Sequence, residues 1–291
     1  MAIRIDGRAL AQTIYQKLSQ EVSLLKEKNI TPTLGIILVG NDPGSLAYIK
    51  QKQKAAELIG ASVIFKHLPA GTSRDTLEST IAHCNTDSSV HGIIVQRPVP
   101  IAGVADILNT VAAPKDVDGF IPHSPFEVPV ARAIVAILTH IHTQLIRAEL
   151  NHQTFKLWLN SQSIAVIGRG ETAGGPIAET LSTYDCSVSV IHSQTEDPET
   201  ILKNATVIIS CVGKKGVIKK HMVTPGVILI SVGLTRDKEG KLHGDYDVDN
   251  IKDTASFYTP TPGGVGPVNV SCLMQNLVDA CIMSIEHIHS K

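Results

Sequence analysis

At 291 residues, with 43% apolar and 18% charged side chains, the chain is long enough for one large or two medium cores and lacks the composition of disorder. Its 26 basic and 27 acidic residues leave a formal net charge of -1, which excludes a nucleic-acid partner or an anionic membrane surface recruited by bulk charge. No apolar run reaches the roughly 20 residues of a bilayer span, and MAIRIDGRAL carries no signal-peptide pattern, so the cytoplasm is the expected compartment.

In chain order, helical patterns alternate with short β-branched runs. A helix over about 7–28 leads to TLGIILVG at 33–40, a second over about 44–60 to SVIFKHL at 62–68, and a third over about 73–85 to GIIVQ at 92–96. Helical patterns follow over about 101–110 and 129–148, around the loop PKDVDGFIPHSPFEVP. Then come SIAVIG at 163–168, a helix over about 173–184, CSVSVI at 186–191, ATVIIS at 205–210, VILISVG at 227–233 and a last helix over about 267–288. Continuous apolar strands separated by helices predict βαβ units, hence an α/β fold with mainly parallel sheets covered on both faces. The break in the strand run between about 97 and 162 predicts two domains, 1–142 and 143–266, followed by the helix of 267–291.

The five cysteines, Cys84, Cys186, Cys211, Cys272 and Cys281, form no C-x-x-C and read as small core residues. His140-x-His142 and His287-x-His289 put their rings on different helix faces, so both pairs are expected in solvent and no metal site is predicted. Asp245-x-Asp247-x-Asp249 fails as a calcium loop, with Asn250 at the glycine position and Ser256 at the bidentate glutamate position.

The stretch SIAVIGRGETAGGP is a strand, a glycine turn and a helix, and Gly168-x-Gly170-x-x-Ala173 fits the looser dinucleotide fingerprint. The next strand ends in His192 and Ser193 rather than in an acidic residue for a ribose 2′-hydroxyl, and Arg169 offers a cation for a 2′-phosphate. NADP is therefore favoured over NAD, although Glu196 lies nearby. In the first half, Tyr48 and Lys52 share a helix face at i and i+4, whereas Lys50 and Lys54 point elsewhere. The helix alone favours a solvated lysine face; a desolvated lysine under an aromatic ring is the sharper alternative. Gln96 at a strand end and Asp118 in a Pro/Gly-bounded loop lie where α/β sheets hold ligands.

Together these residues resemble the bifunctional methylenetetrahydrofolate dehydrogenase/methenyltetrahydrofolate cyclohydrolase family. The resemblance covers nearly the whole chain through VGNDPGSLAYIKQKQKAAELIG, VQRPVP, PKDVDGF, AVIGRGETAGGP, HSQT, PGVILISVGL, GDYD and TPTPGGVGPVNVSCLMQN. It implies a two-domain α/β subunit, usually a homodimer, with a folate-binding catalytic domain, a Rossmann domain for NADP, and a C-terminal helix that returns to the first domain from about Val268. It also implies site roles: Lys52 as catalytic lysine, Tyr48 stacking on the folate's aminobenzoyl ring, Gln96 beside the reacting centre, Asp118 holding the pterin, and Pro262-Gly263-Gly264 lining the folate site. Gly168, Arg169, Gly170, Ser193 and Leu234 fall at its cofactor positions.

Several positions depart from that pattern. Arg97 replaces the leucine after the glutamine, Val128-Pro129-Val130 replaces P-C-T, Gly170 and Gln194 replace a serine and a lysine, and Ser231 replaces the aspartate of I-D-V-G. Two rival classes are another two-domain NADP-dependent dehydrogenase, for instance of the shikimate type, and a folate-binding relative without turnover. The Tyr48/Lys52 spacing joined to Gln96, Asp118 and TPTPGG argues against the first, and intact Lys52 against the second.

Overall fold

The computed structural model describes residues 2–146 and 151–289, with side chains through residue 286. The first elements are β1 (Ile3–Arg4), α1 (Gly7–Glu27), β2 (Thr33–Val39), α2 (Pro43–Ile59), β3 (Ser62–Leu68), α3 (Arg74–Thr86), β4 (Gly92–Val95), α4 (Ala105–Leu108) and α5 (Pro129–Ile146). They are followed by α6 (His152–Asn160), β5 (Ser163–Ile167), α7 (Gly174–Ser182), β6 (Ser187–Ile191), α8 (Pro198–Asn204), β7 (Val207–Ser210) and β8 (Ile228–Ser231). The chain closes with β9 (Thr235–Arg236), β10 (Leu242–His243), α9 (Val248–Ile251), β11 (Phe257–Tyr258) and α10 (Val265–His289).

Two compact units result, residues 12–129 with 270–291, and residues 1–11 with 130–269. The seam therefore lies before the expected 142/143 boundary. Parallel pairing of Ile3 with Phe257 ties the first residues to the second unit's sheet. His142 at the end of α5 packs its ring against Phe155 and Trp158 of α6, which ties α5 there too.

The first unit is built on the parallel sheet β3-β2-β4, with α1, α2 and α3 supplying the covering helices. All seven residues of β2 are buried, as expected of a central parallel strand. Val270, Leu273, Met274, Leu277, Val278 and Cys281 of α10 share one core with Leu18 and Val22 of α1, Leu34, Ile36 and Leu38 of β2, and Ile49 and Ile59 of α2. At about 25 cal/mol per Å² of apolar surface removed from water, this burial is the main favourable term for the unit. The second unit is a six-stranded parallel sheet, β1-β11-β8-β7-β5-β6, with a small antiparallel pair β9-β10 beside it. Both main sheets share one topology: the chain leaves a strand (β2 or β5), forms the strand on one side (β3 or β6), then crosses to the other side (β4 or β7). Such a reversal opens a crevice at the carboxyl ends of the strands, where open α/β sheets hold ligands.

Several expectations need correction. His142 is buried, at 2% exposure, because its ring completes an aromatic cluster with Phe155 and Trp158. His287 and His289 lie outside the described side chains. The helix expected over 101–110 shrinks to α4, and α6 and α8 arise where none was expected, each opening on a capping residue, Asn151 and Asp197. Cys186 and Cys211 are only partly buried, unlike Cys84, Cys272 and Cys281. Residues Pro129–Ile146 and Val265–Glu286 are long and apolar enough to cross a membrane by length and composition alone, since interspersed polar residues hid this in the run count. Half of the first window and 61% of the second are buried within the protein.

Candidate active site and cofactor site

The start of α2 fixes where its lysine falls. Asp42 caps the helix by accepting from the Ser45 N–H at 2.7 Å, Pro43 occupies the first turn, and Gly60 in the left-handed region ends it. Ile49, Ala55, Ala56 and Ile59 face the core. Lys52 lies three residues after Ile49 and four before Ala56, so it flanks that buried stripe, while Lys50 and Lys54 are exposed. The solvated-face reading therefore holds for those two and fails for Lys52.

Gln96 follows β4 directly, its N–H donating to Ile37 O at 2.8 Å as the ladder's last rung. That register aims its side chain at α2. Lys52 Nζ donates to Gln96 Oε1 at 3.0 Å, and Gln96 Nε2 donates to Arg97 O at 2.9 Å. The hydroxyl of buried Ser45 approaches the same Arg97 carbonyl at 3.5 Å. Gln96 is thus held from both ends of its amide, which orients its oxygen toward the lysine.

Asp118 joins this group through backbone pairing. Asp116 forms a parallel bridge with Ile93 of β4, so the following loop runs beside the strand that ends in Gln96. Asn276 of α10, fully buried, donates from its side-chain amide to Val117 O and Glu127 O, both at 2.9 Å, pinning the loop at either end. Two effects act on Lys52: burial lowers its pKa from the ordinary 10.5, and the charge of Asp118 partly opposes that shift. Neighbouring Asp116 has its pKa raised, chiefly by burial. Tyr48 sits one turn before Lys52 on α2 and is 39% exposed. Arg97, the departure from the leucine pattern, stacks its guanidinium 4.6 Å from the Phe120 ring centre, a cation–π contact that occupies the charge.

In the second unit, β5 and β6 end side by side, with Ile167 opposite Ile191 and the Gly168 N–H donating to Ile191 O at 2.8 Å. Arg169 and Ser193, each two residues past that pair, project from neighbouring strand ends, and both are exposed. Arg169 has no hydrogen bond or ion pair among the described residues, so its cation is available. Gly168 adopts φ 99°, and a side chain on Gly174 would collide with the Gly168 carbonyl. The close strand–helix approach that the fingerprint's third small residue permits therefore falls on Gly174, with Ala173 as the residue before α7. At Gly170, by contrast, an added Cβ would meet no atom within 4 Å. The backbone there is bare and open at a helix N-terminus, which fits a pyrophosphate. Leu234, 39% exposed, lies beyond β8, and Val212, 47% exposed, beyond its neighbour β7. The Cys211 thiol is pushed up to about 12 by burial and then by the charge of Asp245, which keeps it a neutral, inert group. The Pro262-Gly263-Gly264 turn follows β11 and is fastened by the Gly7 N–H donating to Gly263 O at 3.0 Å.

Pattern reading missed Ser45, Asn276, Gly7, Gly174 and Asp245. Gly174 carried a local signal as part of the glycine pair after the fingerprint alanine, and Asp245 lay in the GDYD stretch without a role assigned to it.

A lysine held by a strand-end amide beside a carboxylate loop, on a chain that also carries a dinucleotide-type glycine turn, defines the class: a two-unit α/β enzyme of the nicotinamide-dependent kind. Family comparisons sharpen it. The catalytic-domain model of tetrahydrofolate dehydrogenase/cyclohydrolase matches residues 5–118, and the NAD(P)-binding-domain model of the same family matches residues 142–285. The chain is 37% identical over 281 residues to "Bifunctional protein FolD" of Halalkalibacterium halodurans, covering 96% of this chain and 98% of that one. It superposes on the FolD methylenetetrahydrofolate dehydrogenase/cyclohydrolase of Campylobacter jejuni with TM-score 0.88 at 32% identity, covering 97% and 99% of the two chains. The Trypanosoma brucei enzyme, solved with NADP cofactor and inhibitor, gives 0.86 at 29% identity, with 98% of each covered. The chain belongs to the tetrahydrofolate dehydrogenase/cyclohydrolase family.

Proposed function

We infer that this chain oxidises 5,10-methylenetetrahydrofolate to 5,10-methenyltetrahydrofolate with NADP and hydrolyses that product to 10-formyltetrahydrofolate. Family membership supports the reaction pair, and the bond from Lys52 to Gln96 supports the assignment of chemistry to residues. NADP, when bound, supplies the hydride acceptor. Gly168, Gly170 and the N-terminus of α7 would hold its pyrophosphate, Arg169 and Ser193 its 2′-phosphate, and Leu234 would lie against the nicotinamide.

In the hydrolytic step water attacks the methenyl carbon, and Lys52, uncharged, takes a proton from the attacking oxygen. As the ring opens the proton passes to the folate nitrogen, and the second proton of that oxygen leaves to solvent. An ammonium at this position would repel the cationic substrate and could accept no proton, so the downward push that burial gives Lys52 serves the reaction. Gln96 keeps the amine aimed, Asp118 binds the pterin's donor groups, and Tyr48 stacks on the aminobenzoyl ring. Residues 12–129 with 270–291 form the folate-handling part and residues 1–11 with 130–269 the cofactor part of a cytoplasmic homodimer; sedimentation would test the dimer.

A paired assay on purified protein tests the reading: NADP- or NAD-dependent oxidation of methylenetetrahydrofolate, then decay of methenyltetrahydrofolate at its own absorbance. Both activities, with NADP preferred, are expected. Neither activity would refute the reading and make the Arg97 and Val128 substitutions marks of a changed substrate.

A further inference from the structure

Asp245 is fully enclosed, yet no cation pairs with it among the described residues. A buried carboxylate is costly unless hydrogen bonds satisfy it. Here its partners are all from the backbone: Oδ2 accepts from the Val212 N–H at 3.2 Å and Oδ1 from the Lys214 N–H at 2.8 Å. Its own N–H donates to Ser231 Oγ at 2.9 Å, and that hydroxyl reaches Gly233 O at 3.4 Å. One carboxylate and one hydroxyl thus tie together the turns that leave β7 and β8. The turns also touch directly, because a side chain at Gly233 would collide with the Gly213 nitrogen and with Asp245, and one at Gly213 would come within 3.0 Å of Leu234 O.

These two turns border the fingerprint. A Cβ at Gly168 would lie 3.4 Å from Cys211 O, so the β7 turn forms the wall beside the glycine loop. From the same turns Val212 and Leu234 expose apolar side chains, 47% and 39% accessible, on neighbouring strand ends. An apolar shelf at this end of a doubly wound sheet suits a flat nicotinamide ring. Ser231, which replaces the aspartate of the family pattern, anchors the backbone of Asp245 rather than leaving a gap.

We propose that Asp245 is a positioning residue for hydride transfer: it holds the Val212–Lys214 and Gly233–Leu234 turns in the one arrangement that presents the nicotinamide correctly. This rests on the cofactor-site reading above. Pyrophosphate and 2′-phosphate contacts come from β5, α7 and β6, which Asp245 does not touch. Loosening the shelf therefore impairs the chemical step more than cofactor affinity.

The test is Asp245→Ala and Asp245→Asn beside the unaltered protein, with both activities measured on each. For Asp245→Ala the dehydrogenase kcat is expected to fall by about 10- to 100-fold while the KM for NADP moves less than about threefold, as for a misplaced reacting group. Cyclohydrolase, which needs no dinucleotide, stays within about twofold, and Asp245→Asn falls between because one oxygen still accepts a turn N–H. An unchanged kcat, a loss confined to KM, or a parallel fall in cyclohydrolase would each overturn the proposal, the last by making Asp245 a residue of the fold alone. Should Asp245→Ala not accumulate, Asp245→Asn and Ser231→Ala carry the same split. If the unaltered protein reduces neither NADP nor NAD, the cofactor reading itself fails and the proposal with it.

Discussion

Replacing Gln96 by glutamate probes the claim that hydrolysis needs an uncharged Lys52. The substitution keeps the side chain's size and sets a carboxylate where an amide oxygen now stands 3.0 Å from Lys52 Nζ. Two unit charges near 3 Å attract by roughly 5 kcal/mol at an effective dielectric of about 20. Lys52 is partly accessible to solvent, so about a third to two-thirds of that, roughly 2 to 4 kcal/mol, is retained in favour of the ammonium. Burial lowers the lysine's pKa in the native protein, and the new charge pushes it back up. Activity that depends on the neutral amine grows with pH through the lysine's pKa and is lost below it. In Gln96→Glu, cyclohydrolase at pH 7 should therefore fall, by as much as about 1000-fold, with the acid limb of its pH–rate profile displaced upward and activity regained in alkali. Gln96→Ala is the control, lowering the rate without moving the limb toward alkali. The assay is methenyltetrahydrofolate decay across pH, corrected for spontaneous hydrolysis. A Gln96→Glu profile that keeps its shape while losing height would refute the gating role of Lys52 protonation.

Four further outcomes are expected. Arg169→Ala should weaken NADP by about 1.5 to 3 kcal/mol and leave NAD nearly unchanged; equal losses in titrations of both would mean that another group reads the 2′-phosphate. Gly170→Ser adds a hydroxyl where the structure has open space, and should tighten NADP about fivefold, whereas weaker binding would show that the turn needs glycine. Asn276→Ala strips donors from the Val117 and Glu127 carbonyls; urea unfolding should register a loss of about 2 to 4 kcal/mol, and the folate KM should rise as the Asp118 loop loosens. Asp118→Asn should raise the folate dissociation constant far more than that of NADP, and unchanged folate binding would remove Asp118 from the site.

Strand periodicity located the long elements because a central parallel strand must be apolar throughout, as TLGIILV is. The two-residue strands β1 and β11 have no period to detect. They exist because Ile3 and Phe257 find each other across the chain. His142 was misplaced for a related reason: a histidine's burial depends on which rings it meets, and Phe155 and Trp158 come from another helix. At the site, the glycine turn and the one-turn spacing of Tyr48 and Lys52 were legible, since both are local. The choice between a solvated and a desolvated lysine was not legible in the helix itself and came from the resemblance, because its physical cause lies with Gln96, 44 residues away along the chain.

By itself, the sequence determined the α/β class, the alternation that makes both sheets parallel, the glycine turn, and the set of polar residues available for folate chemistry. The first three follow from local stereochemistry and from the apolar run lengths that parallel sheets demand, and the last from the resemblance to a known family. Tertiary structure alone decided which lysine lost its water, which amide aims it, and how Asn276 and Asp245 fasten loops that carry no local rule. Desolvation and hydrogen bonding between distant segments are properties of the packed chain, and they come into being only when β4, α2 and α10, or β7 and β8, are brought together.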